Sequence, residues 1–103
     1  MNTNKNNETP SETPSVIPVT DVKVFPFAKA VGKMAGRAKV VIGGQFVLTG
    51  LRIMDGENGL FVSYPNDPFY KGEDFRSIYY PISREQREVV ENAVLDKYKS
   101  IVE

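Results

Sequence analysis

An α+β fold, a mainly antiparallel sheet of four to five strands followed by a C-terminal amphipathic helix, is what this 103-residue sequence predicts. Three observations predict it. From Val19 to Tyr64 the chain runs in β-branched and aromatic stretches of period two, divided by glycine-rich turns. The links between these stretches are short, which makes consecutive strands pair antiparallel. From Ser83 the apolar period lengthens to three and four, so one helix follows and must bury its stripe on a sheet face.

The elements follow in order. "MNTNKNNETPSETPS" holds one Met and no other apolar residue, too little to offset its ordering entropy, and residues 1–15 are expected to form a disordered polar tail. The domain is expected over residues 16–103. "VTDVKVFPFAKA" reads as the first strand, with Val22, Val24 and Pro26 on one face and Lys23, Phe25 and Phe27 on the other. Pro26 lacks an N–H, which assigns this strand to an edge or forces a bulge. "VGKMAG" reads as a connection and "RAKVVI" as the second strand, with Ala38, Val40 and Ile42 on one face. Gly43-Gly44 marks a hairpin. "QFVLTGLRIM" is a third strand in which Gly50 signals a bulge or a close backbone approach. "DGENG" turns the chain into a fourth strand, "LFVSY", with Gly56 or Gly59 taking a positive φ. Leu60 and Val62 then face one way, Phe61 and Ser63 the other.

"PNDPFYKGEDF" is a loop, and "FRSIYYP" is read as a short fifth strand ending at Pro81. In that strand pattern one of Tyr79 and Tyr80 should face the core. Ser83 and Gln86 match the capping box, in which each side chain bonds the other's backbone N–H. Val89, Val90, Ala93, Val94, Tyr98, Ile101 and Val102 form the expected apolar stripe of the helix.

Composition narrows the chemistry. The sequence has no Cys and no His, so there is no disulfide framework, thiolate metal site, cysteine nucleophile or Ser-His triad. No metal site and no catalytic residue emerge. Asp55, Glu57, Asp67, Glu73 and Asp74 are carboxylates where turns and loops ordinarily place them. "GENGLF" precedes a strand and not a helix, so it is no dinucleotide fingerprint. The polar N-terminus lacks the apolar core of a secretory signal, and a cytoplasmic location is the default expectation.

Charge is the more informative property. The formal net charge is zero, yet residues 22–54 hold Lys23, Lys29, Lys33, Arg37, Lys39 and Arg52 and no acid. Such a segment sets up a local positive field suited to phosphates. The same lysines also serve simply to keep strand surfaces soluble. Phe69, Tyr70, Tyr79 and Tyr80 are aromatic groups of the kind that stack on unpaired bases. Packing of Phe69 and Tyr70 on their own domain, or on a second subunit, is the alternative.

Four blocks in order, "VTDVKV", "FVLTGLRIMDGENGLFVSYP", "FRSIYYPIS" and "REVVENAVLDKY", resemble the SpoVG family over Val19 to Tyr98. The resemblance implies a small cytoplasmic bacterial homodimer with a β-rich body and a C-terminal helix. It implies roles in septation, sporulation and control of other genes, binding to DNA and to RNA, no enzymatic activity and no cofactor. Arg76 matches the arginine of the family's "FRDI" block, while Ser77 replaces the aspartate. Lys71 stands near the family's "DGE" turn, and Arg52 matches a basic position before "IMDG". The family's basic pair after the proline is replaced by Asn66 and Asp67. The expected nucleic-acid contacts are therefore Arg52, Lys71 and Arg76, with Lys39 as outlying support. A second reading, motivated by the missing basic pair, is a protein-interaction factor in division or gene control that uses Phe69 and Tyr70.

Overall fold

The computed structural model describes residues 15–73 and 76–102. The expected tail lies, apart from Ser15, outside them. Four strands, β1 (Val19–Val31), β2 (Met34–Ile42), β3 (Phe46–Gly56) and β4 (Gly59–Ser63), precede one helix, α1 (Arg84–Val102). The strands form an antiparallel sheet in sequence order, β1-β2-β3-β4. Every pairing is therefore a hairpin between chain neighbours.

Two readings change. The expected connection 31–36 shrinks to Gly32-Lys33, with Gly32 at φ 60°, and β2 starts at Met34. Among the described residues there is no fifth strand. Only Asn66 and Ser77 form an isolated antiparallel bridge. Pro65 and Pro68 remove two backbone donors from the would-be partner, so no ladder extends from that bridge.

β1 is an edge strand, one of the two outcomes expected from Pro26, and its register with β2 also shifts between Pro26 and Val31. Gly36 lies opposite Pro26. A Cβ there would come within 2.9 Å of the Phe25 carbonyl oxygen and 3.1 Å of the Pro26 Cα, so this strand crossing admits no side chain. At the β3–β4 hairpin it is Gly59 that takes the positive φ, 114°. Gly56 is kept small for another reason: the Phe61 ring lies where its Cβ would be, at 2.9 Å.

The expected bulge at Gly50 is present and has the widest consequences. Ala38 pairs with Leu51 and Val40 with Leu48, so β3 spends one more residue than β2 across that interval. Gly50 takes the extra place at φ 85°. The extra residue shifts the inside–outside alternation by one. Leu48, Leu51 and Ile53 thereby all face inward, and Arg52 faces outward. The Thr49 carbonyl accepts a hydrogen bond from the Tyr79 hydroxyl at 2.7 Å, and Pro65 packs over Gly50. In Gly50→Ala the new methyl would stand 3.3 Å from the Pro65 Cβ, in a backbone conformation that non-glycine residues avoid. The expected loss is about 1–3 kcal/mol. A urea melt would show a lower midpoint with unchanged slope, and an unaltered midpoint would contradict this account.

The core lies between the sheet and α1. Val24, Ala38, Val40, Leu51, Ile53 and Val62 meet Val94 of the helix, with Tyr64, Tyr79, Leu95 and Tyr98 packed around them. Val90 and Val94 are the buried part of the expected stripe. Ile101 and Val102 are half exposed, because the last turn of α1 runs past the sheet residues that bury the earlier ones. Of the two tyrosines, Tyr79 joins the core and Tyr80 stays exposed.

The capping box forms only by half. The Ser83 hydroxyl oxygen accepts from the Gln86 backbone N–H at 3.1 Å. The Gln86 side chain turns instead to Ile17, accepting from its N–H at 2.7 Å and donating to its carbonyl at 2.9 Å. A primary amide carries both a donor and an acceptor, so it satisfies both backbone groups of one extended residue. Ahead of β1, the chain is thus fastened to the first turn of α1.

Candidate nucleic-acid interface

The face of the sheet turned away from α1 carries no second layer among the described residues. Strand alternation and the Gly50 bulge decide what lies there. One row across the sheet reads Phe25, Arg37, Arg52, Ser63, and the next places Lys23 opposite Lys39. Four cations from three strands thus occupy two adjacent rows. Neighbours are about 5 Å apart across strands and about 7 Å apart along a strand. Arg37 faces Arg52 and Lys23 faces Lys39 as direct cross-strand partners, and such like-charge pairs work against the sheet. Among the described residues the single ion pair is elsewhere, so none of these four cations is in a salt bridge, and the nearest carboxylate of this face is Asp21, paired with Val41 in the row beyond Lys23 and Lys39.

Arg52 is the most constrained of the four. Its Nη2 donates to the Ser63 Oγ and to the Tyr64 carbonyl, both at 2.9 Å, while its buried Nε has no partner. The side chain is thereby held against β4. Phe25, at the β1 end of the arginine row and half exposed, offers an aromatic face beside the cations, and Val47 and Phe61 are exposed farther along.

Lys71 and Arg76 are not on this face. Lys71 lies in the exposed loop after β4. Arg76 sits where that loop returns toward the helix. Its Nη2 is 3.8 Å from Asp67, and its guanidinium lies 5.0 Å from the Tyr70 ring centroid. Asp67, which stands in place of the family's basic pair, also caps its own turn by accepting from the Phe69 N–H at 2.9 Å. Tyr70 is therefore engaged by Arg76, and Phe69 projects outward, 82% exposed. The sequence-predicted cations thus divide into a sheet pair, Lys39 and Arg52, and a loop pair, Lys71 and Arg76.

Two groups escaped the sequence reading as site residues. Lys23 and Arg37 complete the sheet cluster, and the signal was there in the Lys-x-Phe and Arg-x-Lys alternation. What was missing was the register that sets one pair against the other. Arg87 meets Arg76 across an open cleft of about 420 Å³ between the returning loop and α1, together with Tyr64, Ser77, Tyr80 and Glu91. Nothing in the helix pattern marks it, since the cleft exists only once the loop has folded back. At its floor the Tyr64 hydroxyl donates to the Glu91 carboxylate at 3.0 Å. Burial, then that hydrogen bond and the Glu91 charge, push the Tyr64 phenol well above its ordinary range. Burial alone pushes Tyr79 up to about 12. Both phenols stay protonated donors at neutral pH, which is what their structural bonds need.

An antiparallel sheet backed by one helix, with an open cationic face, defines an α+β domain that presents a charged surface. A family profile described as SpoVG matches residues 17–100. The chain belongs to the SpoVG family. It is 36% identical over 83 residues to a protein of Clostridium perfringens, covering 81% of this chain and 90% of the relative. It is 35% identical over 85 residues to one of Aster yellows witches'-broom phytoplasma, covering 82% and 84%. It is 34% identical over 84 residues to one of Caldicellulosiruptor saccharolyticus, covering 82% and 93%. All three relatives carry the name "Putative septation protein SpoVG". No helix among the described residues is long and apolar enough to cross a membrane.

Proposed function

We propose that this SpoVG-family protein is a bacterial regulator of septation and gene expression that binds DNA or RNA as a homodimer. The observation that carries the reading is the pair of like-charge contacts on the open sheet face, Lys23 against Lys39 and Arg37 against Arg52. Facing cations cost the fold stability, and a phosphate backbone laid across them offsets that cost by displacing counterions. Phe25 beside them suits stacking on an unpaired base. Dimerisation would cover a sheet edge or the apolar residues of the open face and repeat the cationic rows by symmetry.

The test is a titration of labelled DNA and RNA pools at low salt with the full-length protein. Binding that tightens steeply as salt falls, and that Lys39→Gln on the sheet face weakens, is the expected result. No affinity tighter than about 10⁻⁴ M in either pool would sink the reading. A second reading, a protein-interaction factor in division or gene control, is favoured by one specific observation: the outward projection of Phe69 from a loop held in place by Asp67 and Arg76. It predicts no direct nucleic-acid binding and a partner whose binding is lost in the variant combining Phe69→Ala and Tyr70→Ala.

A further inference from the structure

The cleft between the returning loop and α1 has a composition that the sheet face does not explain. Arg76 enters it from the loop and Arg87 from the second turn of the helix, with the Ser77 and Tyr80 side chains beside them. Among the described residues each guanidinium keeps N–H donors without a short hydrogen bond, although Arg76 also lies against the Tyr70 ring. Arg76 has a long contact of 3.8 Å to Asp67, and the Arg87 Nη2 donates to the Pro81 carbonyl at 3.5 Å, the outer limit of a hydrogen bond. Each has five N–H donors arranged as a fork that fits phosphate oxygens. Glu91 is the opposing charge, but its carboxylate is engaged by the Tyr64 hydroxyl. Within the cleft two cations therefore face one carboxylate, Glu91, with Asp67 beside Arg76 outside it. The Tyr80 ring, 55% exposed, forms part of the wall, and Tyr79 next to it is anchored on Thr49. At about 420 Å³ the cleft falls in the size range of small-ligand sites.

We propose that this cleft is a nucleotide subsite: Arg76 and Arg87 hold one phosphate group, and Tyr80 stacks on the attached base. The inference deepens the nucleic-acid reading, on which it rests, by placing one unpaired nucleotide of the bound strand between the loop and the helix. A free nucleoside monophosphate presents the same chemistry, and the experiment separates the two sources.

Arg87→Gln, Tyr80→Ala and the charge-retaining Arg87→Lys are compared with the unaltered full-length protein. Thermal melts verify folding, which the surface position of Arg87 and Tyr80 leaves intact. The probes are a short single-stranded oligonucleotide, its fully paired duplex, adenosine monophosphate and inorganic phosphate. The expected result is that Arg87→Gln lowers the salt slope for the single strand by about 0.7. Tyr80→Ala weakens the single strand roughly tenfold and the duplex much less. Arg87→Lys keeps the slope. Unchanged single-strand binding in both Arg87→Gln and Tyr80→Ala, while sheet-face variants weaken it, would overturn the cleft and leave the nucleic-acid reading standing. If the unaltered protein binds neither oligonucleotide, that reading fails. Adenosine monophosphate then decides the cleft: binding sensitive to both variants supports it, and no binding overturns it. Inorganic phosphate bound as tightly as the monophosphate overturns the role given to Tyr80.

Discussion

Leu51→Ala lowers the unfolding free energy by about 3 kcal/mol. Leu51 is fully buried, pairs with Ala38, and belongs to the cluster that joins β1, β2, β3 and β4 to Val94 of α1. Truncation removes the transfer energy of its methyl groups and leaves a cavity that the sheet cannot collapse, since its neighbours are fixed by the ladder. For a domain of this size the melting temperature falls by roughly 15 °C. Phe46→Ala in the same strand is the control. Phe46 is two-thirds exposed at the strand's start, and its loss is expected to stay within about 0.5 kcal/mol. Equal effects of the two substitutions would refute the division of β3 into an inward and an outward set.

Replacing Arg37 and Lys39 together by glutamine moves stability and binding in opposite directions. Each is in direct register with a cation, Arg52 and Lys23 respectively, and neither donates a hydrogen bond to a side chain among the described residues. Relief of the two repulsions raises stability by a few tenths of a kcal/mol for each pair. On the nucleic-acid reading, two phosphate contacts disappear, so affinity at about 0.1 M salt falls roughly 50-fold and the salt slope falls by about 1.5 to 2. A variant that merely unfolds would lose both properties together. A more stable protein with unaltered affinity would show that these side chains contact no phosphate.

The antiparallel hairpins, the edge or bulge that Pro26 imposes on β1, the Gly43-Gly44 and Gly56-to-Gly59 turns and the helix with its Ser83 cap were all legible, because each depends on local periodicity or on residues with special backbone demands. The fifth strand was not. "FRSIYYP" alternates like a strand, but a ladder needs a partner, and the preceding segment has two prolines. Gln86 was legible as a helix-start residue and not as a fastener for Ile17, since no local pattern points 69 residues away. For the site, residue types were readable and geometry was not. Lys39 and Arg52 share a face only because Gly50 absorbs one residue. Arg76 leaves that face because the loop returns toward α1, and Arg87 joins it there by the same fold.

The link between Ile17 and Gln86 gives the molecule a seam. Every strand pairing here zips between consecutive segments, whereas this contact closes a loop that spans nearly the whole domain. Loop-closure entropy delays such a contact until the hairpins and helix are already in place. Two hydrogen bonds at the surface also let it open again at little cost. Whatever pulls on the N-terminal residues therefore meets this fastening before it meets the sheet. Ile17 and the first turn of α1 are mechanically coupled, so a load on the former is delivered at the latter.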